Sequence, residues 1–194
     1  NVLPTDSLIL VLHTQQEGLR VDQALHGHVV FNLAQNLIDG FKHYSYNLPT
    51  WLREGVSHYF ERLINPKFNS FDASEGSVAE ETRKENWQPP TLKLARSGEA
   101  PRMAELMAMK DFSDLTLASH FTTWSMIDFI LTVHPGFFAR LLDGLKGITN
   151  EHGIADGSNM AEAHRELFKS GLGMTYAEFD AAWSAWVLAT YSAQ

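Results

Sequence analysis

Three ionisable side chains share one face of a predicted helix in the segment LPTWLREGVSHYFE, residues 48–61. Glu54, His58 and Glu61 stand at positions i, i+4 and i+7, a spacing that places side chains on the same helical face. Carboxylates and imidazoles are the groups that bind a metal ion when no thiolate is present. The simpler interpretation is a solvated ion-pair face, because these residues lie opposite the apolar stripe of their helix.

The same segment closely resembles the part of gluzincin metallopeptidases, especially the bacterial peptidase-MA-like families, that carries the third zinc ligand. The order of tryptophan, glutamate, glycine and two aromatic residues carries this likeness, and it equates Glu54 with that ligand. In many such enzymes 18 residues separate the glutamate from the second histidine of an upstream HExxH helix. Counted back along this chain, Gln35 takes the place of the second histidine, Phe31 that of the first, and Asn32 that of the HExxH glutamate.

The C-terminal half is similar to the helical tail of the same families. The segment SHFTTWSMIDFIL, residues 119–131, corresponds to an aromatic-led helix, which a glycine-punctuated helix and a final helix with an E…W…W pattern follow. His120 stands where those families often have a tyrosine. The resemblance covers most of the chain from about Val21 to Val187, and it implies a zincin-like fold and an extracytoplasmic location.

The residues at the inherited metal positions lack the chemistry of a zinc peptidase. In HExxH two histidines four residues apart hold a tetrahedral Zn²⁺, and the glutamate takes a proton from the zinc-bound water. Phe31 has no lone pair, and Gln35 offers only a neutral amide oxygen, a poor zinc ligand. Asn32 has no carboxylate to act as a base. We therefore expect a catalytically inactive homologue without a metal, whose cleft binds a peptide or protein partner.

Two other functions are compatible with the same residues. In the first, a metal site rebuilt from His28, Glu54, His58 or His120 binds zinc and supports an active hydrolase. In the second, the chain is a structural or assembly domain in which the Phe31 ring fills the former cleft. An open groove beside Glu54 would favour partner binding, whereas a closed one would favour the structural role.

Composition limits the partners. A formal net charge of -8 and a pI near 5.5 leave no concentrated basic face for nucleic acid or an anionic membrane surface, and they favour a basic peptide or protein. The apolar run LILVL at 8–12 is far shorter than the roughly 20 residues that cross a bilayer. Because the chain has no cysteine, any metal site must use histidine, aspartate and glutamate.

The strand and helix patterns along the sequence predict one mainly helical α+β domain over residues 1–194, and its elements position these residues. The segment SLILVLHT, residues 7–14, predicts a strand and hence a small N-terminal sheet. Helical periodicity then predicts an active-site helix over 21–41 and a glutamate helix from Pro49 to about Asn65. The predicted buried face of the first helix consists of Val30, Leu33, Ala34, Leu37, Ile38 and Phe41.

The rest of the chain divides into a loop-rich excursion over 67–100 and a C-terminal helical bundle over 101–194. The excursion is polar and contains the pair Pro89 and Pro90. In the bundle, capping-box spacing predicts that the last two helices begin at Asn159, followed by Glu162, and at Thr175, followed by Glu178. Gly171 predicts the end of the first of these two helices.

Overall fold

A computed structural model describes residues 20–66, 69–70 and 86–192. Over these ranges it contains no β-strand and eight α-helices: α1 (Asp22–Asp39), α2 (Thr50–Ile64), α3 (Gln88–Ser97), α4 (Met103–Ala108), α5 (Leu117–Val133), α6 (Pro135–Leu145), α7 (Met160–Leu172) and α8 (Tyr176–Thr190). The prediction of a mainly helical domain is confirmed. The predicted strand at 7–14 lies outside the described residues, so the small N-terminal sheet and the zincin-like arrangement stay predictions.

Helix α1 buries a different face from the one predicted. Phe31 is 5% exposed and Ile38 is buried, whereas Leu33 is 40% and Leu37 is 59% exposed. Apolar residues occupy two faces of this helix, and periodicity alone does not show which face meets a neighbour. The face of Phe31 packs on α2, so the predicted buried stripe is wrong at Leu33, Leu37 and Phe41, whereas Ile38 is buried and Val30 and Ala34 are half-buried.

Asp39 joins the end of α1 to the beginning of α2. Its Oδ1 accepts a hydrogen bond from the backbone nitrogen of Leu48 at 3.1 Å, and its Oδ2 lies 2.5 Å from Nε of Arg53. Further along the pair, the Phe31 ring contacts the His58 ring. Residue numbers fall from Asp39 to Phe31 along α1 while those of their partners rise from Arg53 to His58 along α2. The two helices are therefore antiparallel neighbours.

Helix α2 packs between α1 and α5, and a glycine allows the close approach to α5. A Cβ atom on Gly55 would lie 2.7 Å from the backbone oxygen of Thr123 and 2.8 Å from Cγ1 of Ile127. Because two helices cover α2, its polar face is inside the protein: Glu54 and His58 are fully buried. The interpretation of this face as a solvated ion-pair face is therefore wrong.

The predicted loop-rich excursion contains the helix α3. Trp87, the residue before the helix, is fully buried and anchors its beginning. Pro89 and Pro90 lie in the first turn, where a backbone N–H has no partner within the helix and its loss costs little. Gly98 has a φ of 70° and ends the helix in the left-handed conformation. The prediction of a loop is therefore wrong for residues 88–97.

The sequence predicts a capping box at the beginning of both α7 and α8, and the structure has it at α8 but not at α7. The backbone nitrogen of Thr175 donates to Glu178 Oε2 at 2.7 Å, and Thr175 Oγ1 accepts from the backbone nitrogen of Glu178 at 3.3 Å, which confirms that capping box. Asn159 makes no side-chain cap hydrogen bond, because it belongs to a 3-10 turn, Gly157–Asn159, that leads into α7. The capping box predicted there is wrong.

The glycine that ends α7 is Gly173 rather than Gly171. Gly173 has a φ of 71°, which a glycine adopts without strain. Gly171 lies inside the helix, where a Cβ atom would come 2.8 Å from the ring of Phe137. Gly171 therefore serves packing between α7 and α6, and the predicted stop at Gly171 is wrong by two residues.

Helices α5 and α6 supply much of the hydrophobic core. Met126, Ile127 and Ile130 from α5 and Phe137 and Leu141 from α6 are all buried. Among the described residues no single helix has both the length and the apolar character needed to cross a bilayer. Helices α5 and α6 pass that test only as a pair, with a bend of 116° between them.

Candidate functional site

Glu54, His58 and His120 bring three ligand-type atoms together in the core. Nε2 of His58 lies 3.3 Å from Oε1 of Glu54 and 3.2 Å from Nδ1 of His120. The same Nδ1 lies 3.9 Å from Oε1 of Glu54, and all three side chains are fully buried. Helix α2 provides the first two residues and α5 the third. We call these three residues the Glu-His-His cluster.

Glu61 orients the His58 ring. Nδ1 of His58 lies 3.1 Å from Oε2 of Glu61, and the backbone nitrogen of Ser70 donates to Oε1 of the same carboxylate at 2.7 Å. With Nδ1 donating its proton to Glu61, a neutral His58 ring carries its lone pair on Nε2. That lone pair is directed towards Glu54 and His120.

Burial sets the protonation of the histidines. Desolvation lowers the pKa of His58, and it lowers the pKa of His120 well below 6.5, where the neighbouring His58 adds a smaller effect in the same direction. Desolvation also raises the pKa of Glu61, and the hydrogen bond from His58 partly offsets that rise. Both imidazoles are therefore neutral at pH 7, which is the form that binds metal ions.

Aromatic rings enclose the cluster. The ring centroids of Phe31 and Trp87 lie 5.0 Å and 4.8 Å from that of His58, both in edge-to-face contacts. The guanidinium of Arg62 lies 4.2 Å from the centroid of Trp87. Phe31 is buried. Because Glu54 is fully buried, it does not line an open groove.

The other predicted site residues do not join the cluster. The amide nitrogen of Asn32 donates to the backbone oxygen of His28 at 2.8 Å and lies 3.2 Å from its Nε2. Asn32, Gln35 and His28 are all half-buried on α1. Within the described ranges, the group of side chains with metal-ligand spacing contains Glu54, His58 and His120, and it does not include His28.

Comparison with known proteins adds no relative. No protein-family model matches the chain, and neither the curated proteins nor the solved structures compared with it give a significant match. The resemblance to gluzincins therefore rests on the sequence motifs quoted above.

Two residues that support the cluster give no clear signal in the sequence. Ser70 acts through its backbone nitrogen, so its side-chain type carries no information about the contact with Glu61. Trp87 precedes the proline pair of α3, and a buried tryptophan before two prolines is compatible with a helix start. That pattern predicts the helix but does not predict that Trp87 packs on His58.

Proposed function

We propose that the chain is a catalytically inactive relative of the gluzincin metallopeptidases, in which a closed centre replaces the former reaction centre and serves a structural or assembly role. The single observation that carries this proposal is the burial of Phe31 against His58. An aromatic ring at the position of the first histidine ligand cannot coordinate a catalytic zinc ion, and here it fills space beside His58.

The neighbouring chemistry supports the loss of hydrolysis. A zinc peptidase needs a water on the metal and a carboxylate base within hydrogen-bond reach of it. Asn32 stands at the position of that base and has no carboxylate. Glu61 is engaged by His58 and by the backbone of Ser70, and it is buried. Among the described residues, Asn32 therefore offers a substrate amide no base, and the cluster itself is buried.

The arrangement of the helices supports the ancestry. An HExxH helix must face the helix of the third ligand, and α1 and α2 are antiparallel neighbours in contact through Phe31 and His58. His120 stands at the position where the resembling families have a tyrosine, and its Nδ1 lies 3.9 Å from Glu54 Oε1. The contact between Phe31 and His58 is compatible with the sequence register that equates Phe31 with the first lost histidine.

The closed centre favours a structural role over peptide binding in the former cleft. A peptide in that cleft would have to reach Glu54, which is fully buried. In this proposal a peptide or protein partner contacts the outer surface, and the net charge of -8 favours a basic partner. The extracytoplasmic location that the resemblance implies belongs to the same proposal.

Hydrolysis assays test this proposal with a matched pair of proteins. Wild type and Glu54→Gln are incubated with casein and with unstructured peptides, in the presence of Zn²⁺ and in the presence of a chelator, and products are identified by mass spectrometry. We expect both proteins to give only the background rate under both conditions. Cleavage by wild type that Glu54→Gln and the chelator both abolish would overturn the proposal and establish a metal hydrolase.

A further inference from the structure

The three ligand-type atoms of the Glu-His-His cluster have the spacing of a zinc site. They form a triangle with sides of 3.2, 3.3 and 3.9 Å. One point in the plane of this triangle lies about 2.0 Å from all three atoms, which matches zinc–nitrogen and zinc–oxygen bonds of about 2.0–2.2 Å. Adjacent ligands of a tetrahedral zinc ion are separated by about 3.3 Å, so two sides of the triangle already have this length.

We propose that Glu54, His58 and His120 form a buried binding site for one zinc ion. The site uses residues other than the HExxH positions, and it goes beyond the proposed function because it needs no catalytic role. Two imidazole nitrogens and one carboxylate oxygen are a ligand set that zinc accepts, whereas Mg²⁺ and Ca²⁺ prefer oxygen ligands throughout. The ion would connect α2 to α5 inside the core.

Glu61 completes the pattern expected around a metal-bound histidine. Histidine ligands usually donate their second ring N–H to a carboxylate or a backbone carbonyl, which fixes the ring and its tautomer. Here Nδ1 of His58 lies 3.1 Å from Glu61, and Ser70 holds that carboxylate. Glu61 is therefore a positioning residue, which directs Nε2 of His58 towards the centre of the triangle.

In the metal-free protein, a proton between Nδ1 of His120 and Nε2 of His58 accounts for their separation of 3.2 Å. A zinc ion would take the place of that proton, because Nε2 of His58 lies 3.2 Å and 3.3 Å from the other two ligand atoms. A cation at the centre of the triangle is attractive to all three ligand atoms.

The test compares zinc binding by wild type and by ligand variants. Wild type purified without chelator is analysed for metal content, and the chelator-treated protein is then titrated with Zn²⁺ by calorimetry. We expect one zinc per chain, with affinity lowered at least tenfold in Glu54→Gln and in His120→Asn. The control is His152→Asn, because His152 is an exposed histidine, 72% of whose side chain is accessible, and its loss should leave the affinity unchanged.

Glu61→Gln tests the positioning role separately. This variant keeps an oxygen near His58 but loses the carboxylate charge, and we expect zinc affinity to fall by roughly 10- to 100-fold with a stoichiometry of one retained. If a ligand variant fails to fold, its zinc affinity cannot be compared with that of wild type. The visible absorption spectrum of wild type loaded with Co²⁺ is then measured instead. Tetrahedral coordination by two imidazoles, one carboxylate oxygen and a fourth ligand predicts intense visible bands, whereas weak octahedral bands would overturn the proposal.

The outcomes separate this inference from the proposed function. Wild type without bound zinc and without a saturable titration would overturn the zinc site and leave the catalytic inactivity unaffected. Zinc binding of equal strength in wild type, Glu54→Gln and His120→Asn would also overturn it, because the ion would then lie elsewhere. Stoichiometric zinc together with chelator-sensitive proteolysis would support the site and overturn the inactivity.

Discussion

Gly55 of α2 lies so close to Thr123 of α5 that a Cβ atom on residue 55 would be 2.7 Å from the Thr123 carbonyl oxygen. The neighbouring atoms are backbone and a packed Ile127 side chain, so an added methyl group forces the helices apart. Glu54 and His58 belong to the same helix and face His120 across this contact. The glycine in the sequence WLREG therefore allows α2 to lie close to the helix that carries His120.

The first prediction concerns this contact. Gly55→Ala should lower the free energy of unfolding by about 1–3 kcal/mol, as overpacking in a core does, although alanine favours an isolated helix by about 1 kcal/mol. Denaturant titration measures the change. Gly136→Ala in α6 is the matched control, since a Cβ atom there would lie 4.0 Å from Arg140 Nη1 and so make no close contact with it, and the change should be neutral or stabilising. Equal stability of Gly55→Ala and wild type would contradict the close packing.

The second prediction concerns Phe31. Its ring is 5% exposed and packs on His58, so Phe31→Ala should destabilise the protein by ~3 kcal/mol through lost burial and an unfilled cavity. Leu37→Ala on the same helix removes a side chain that is 59% exposed and should change stability by less than about 0.5 kcal/mol. Urea unfolding of both variants provides the comparison, and similar effects at the two positions would show that the orientation of α1 is wrong.

The third prediction concerns the pH dependence of stability. Burial lowers the pKa of His164 to about 3, and its Nδ1 lies 2.6 Å from the hydroxyl of Tyr176. An unfolded histidine titrates near 6.5, so below that pH the unfolded state takes up the proton first and stability falls as the pH falls towards 3. The loss attributable to His164 between pH 7.5 and pH 5 is about 2 kcal/mol.

A histidine variant isolates this effect from the other titrating groups. His164→Gln keeps an acceptor for the Tyr176 hydroxyl but does not titrate in this range. Its unfolding free energy should therefore depend less steeply on pH between 7.5 and 5 than that of wild type. Parallel pH profiles for the two proteins would show that His164 is not held neutral by the fold.

The sequence predicts the helices whose caps and motifs are local. Thr175 and Glu178 form the capping box expected from their spacing, and α2 covers the segment that carries Glu54. Helix α3 was missed because Pro89 and Pro90 indicate a loop unless they are placed in a first helical turn. The capping box at Thr175 and the proline pair in the first turn of α3 both depend only on residues that are neighbours in the sequence.

The burial of α2 depends on tertiary contacts, which the hydrophobic periodicity of its own sequence does not reveal. Glu54, His58 and Glu61 have the spacing of a solvated face, and they are buried because α1 and α5 cover the helix on both sides. The partner His120 is 62 residues beyond His58, so only the fold brings the two rings together. The sequence indicates Glu54 as a site residue, but it does not select His58 and His120 over His28.

Whether Phe31, Asn32 and Gln35 occupy the former ligand positions opposite Glu54 is tested most directly by restoring the ligands. His120→Tyr removes one proposed zinc ligand and introduces the residue of the resembling families, so this variant alone should lose its response to zinc. Adding Phe31→His, Asn32→Glu and Gln35→His introduces an HExxH sequence into α1, the helix that packs on α2. The decisive measurement is the change in melting temperature that Zn²⁺ produces in the fourfold variant and in His120→Tyr.

At a free zinc concentration one hundred times its dissociation constant, the fourfold variant should gain about 2.7 kcal/mol of stability. For a chain of this length that gain corresponds to a rise of roughly 5–10 °C, whereas His120→Tyr should melt at the same temperature with and without zinc. A fourfold variant that unfolds cooperatively but gains no more from zinc than His120→Tyr does would contradict the assigned positions, and with them the descent of this centre from a zinc peptidase.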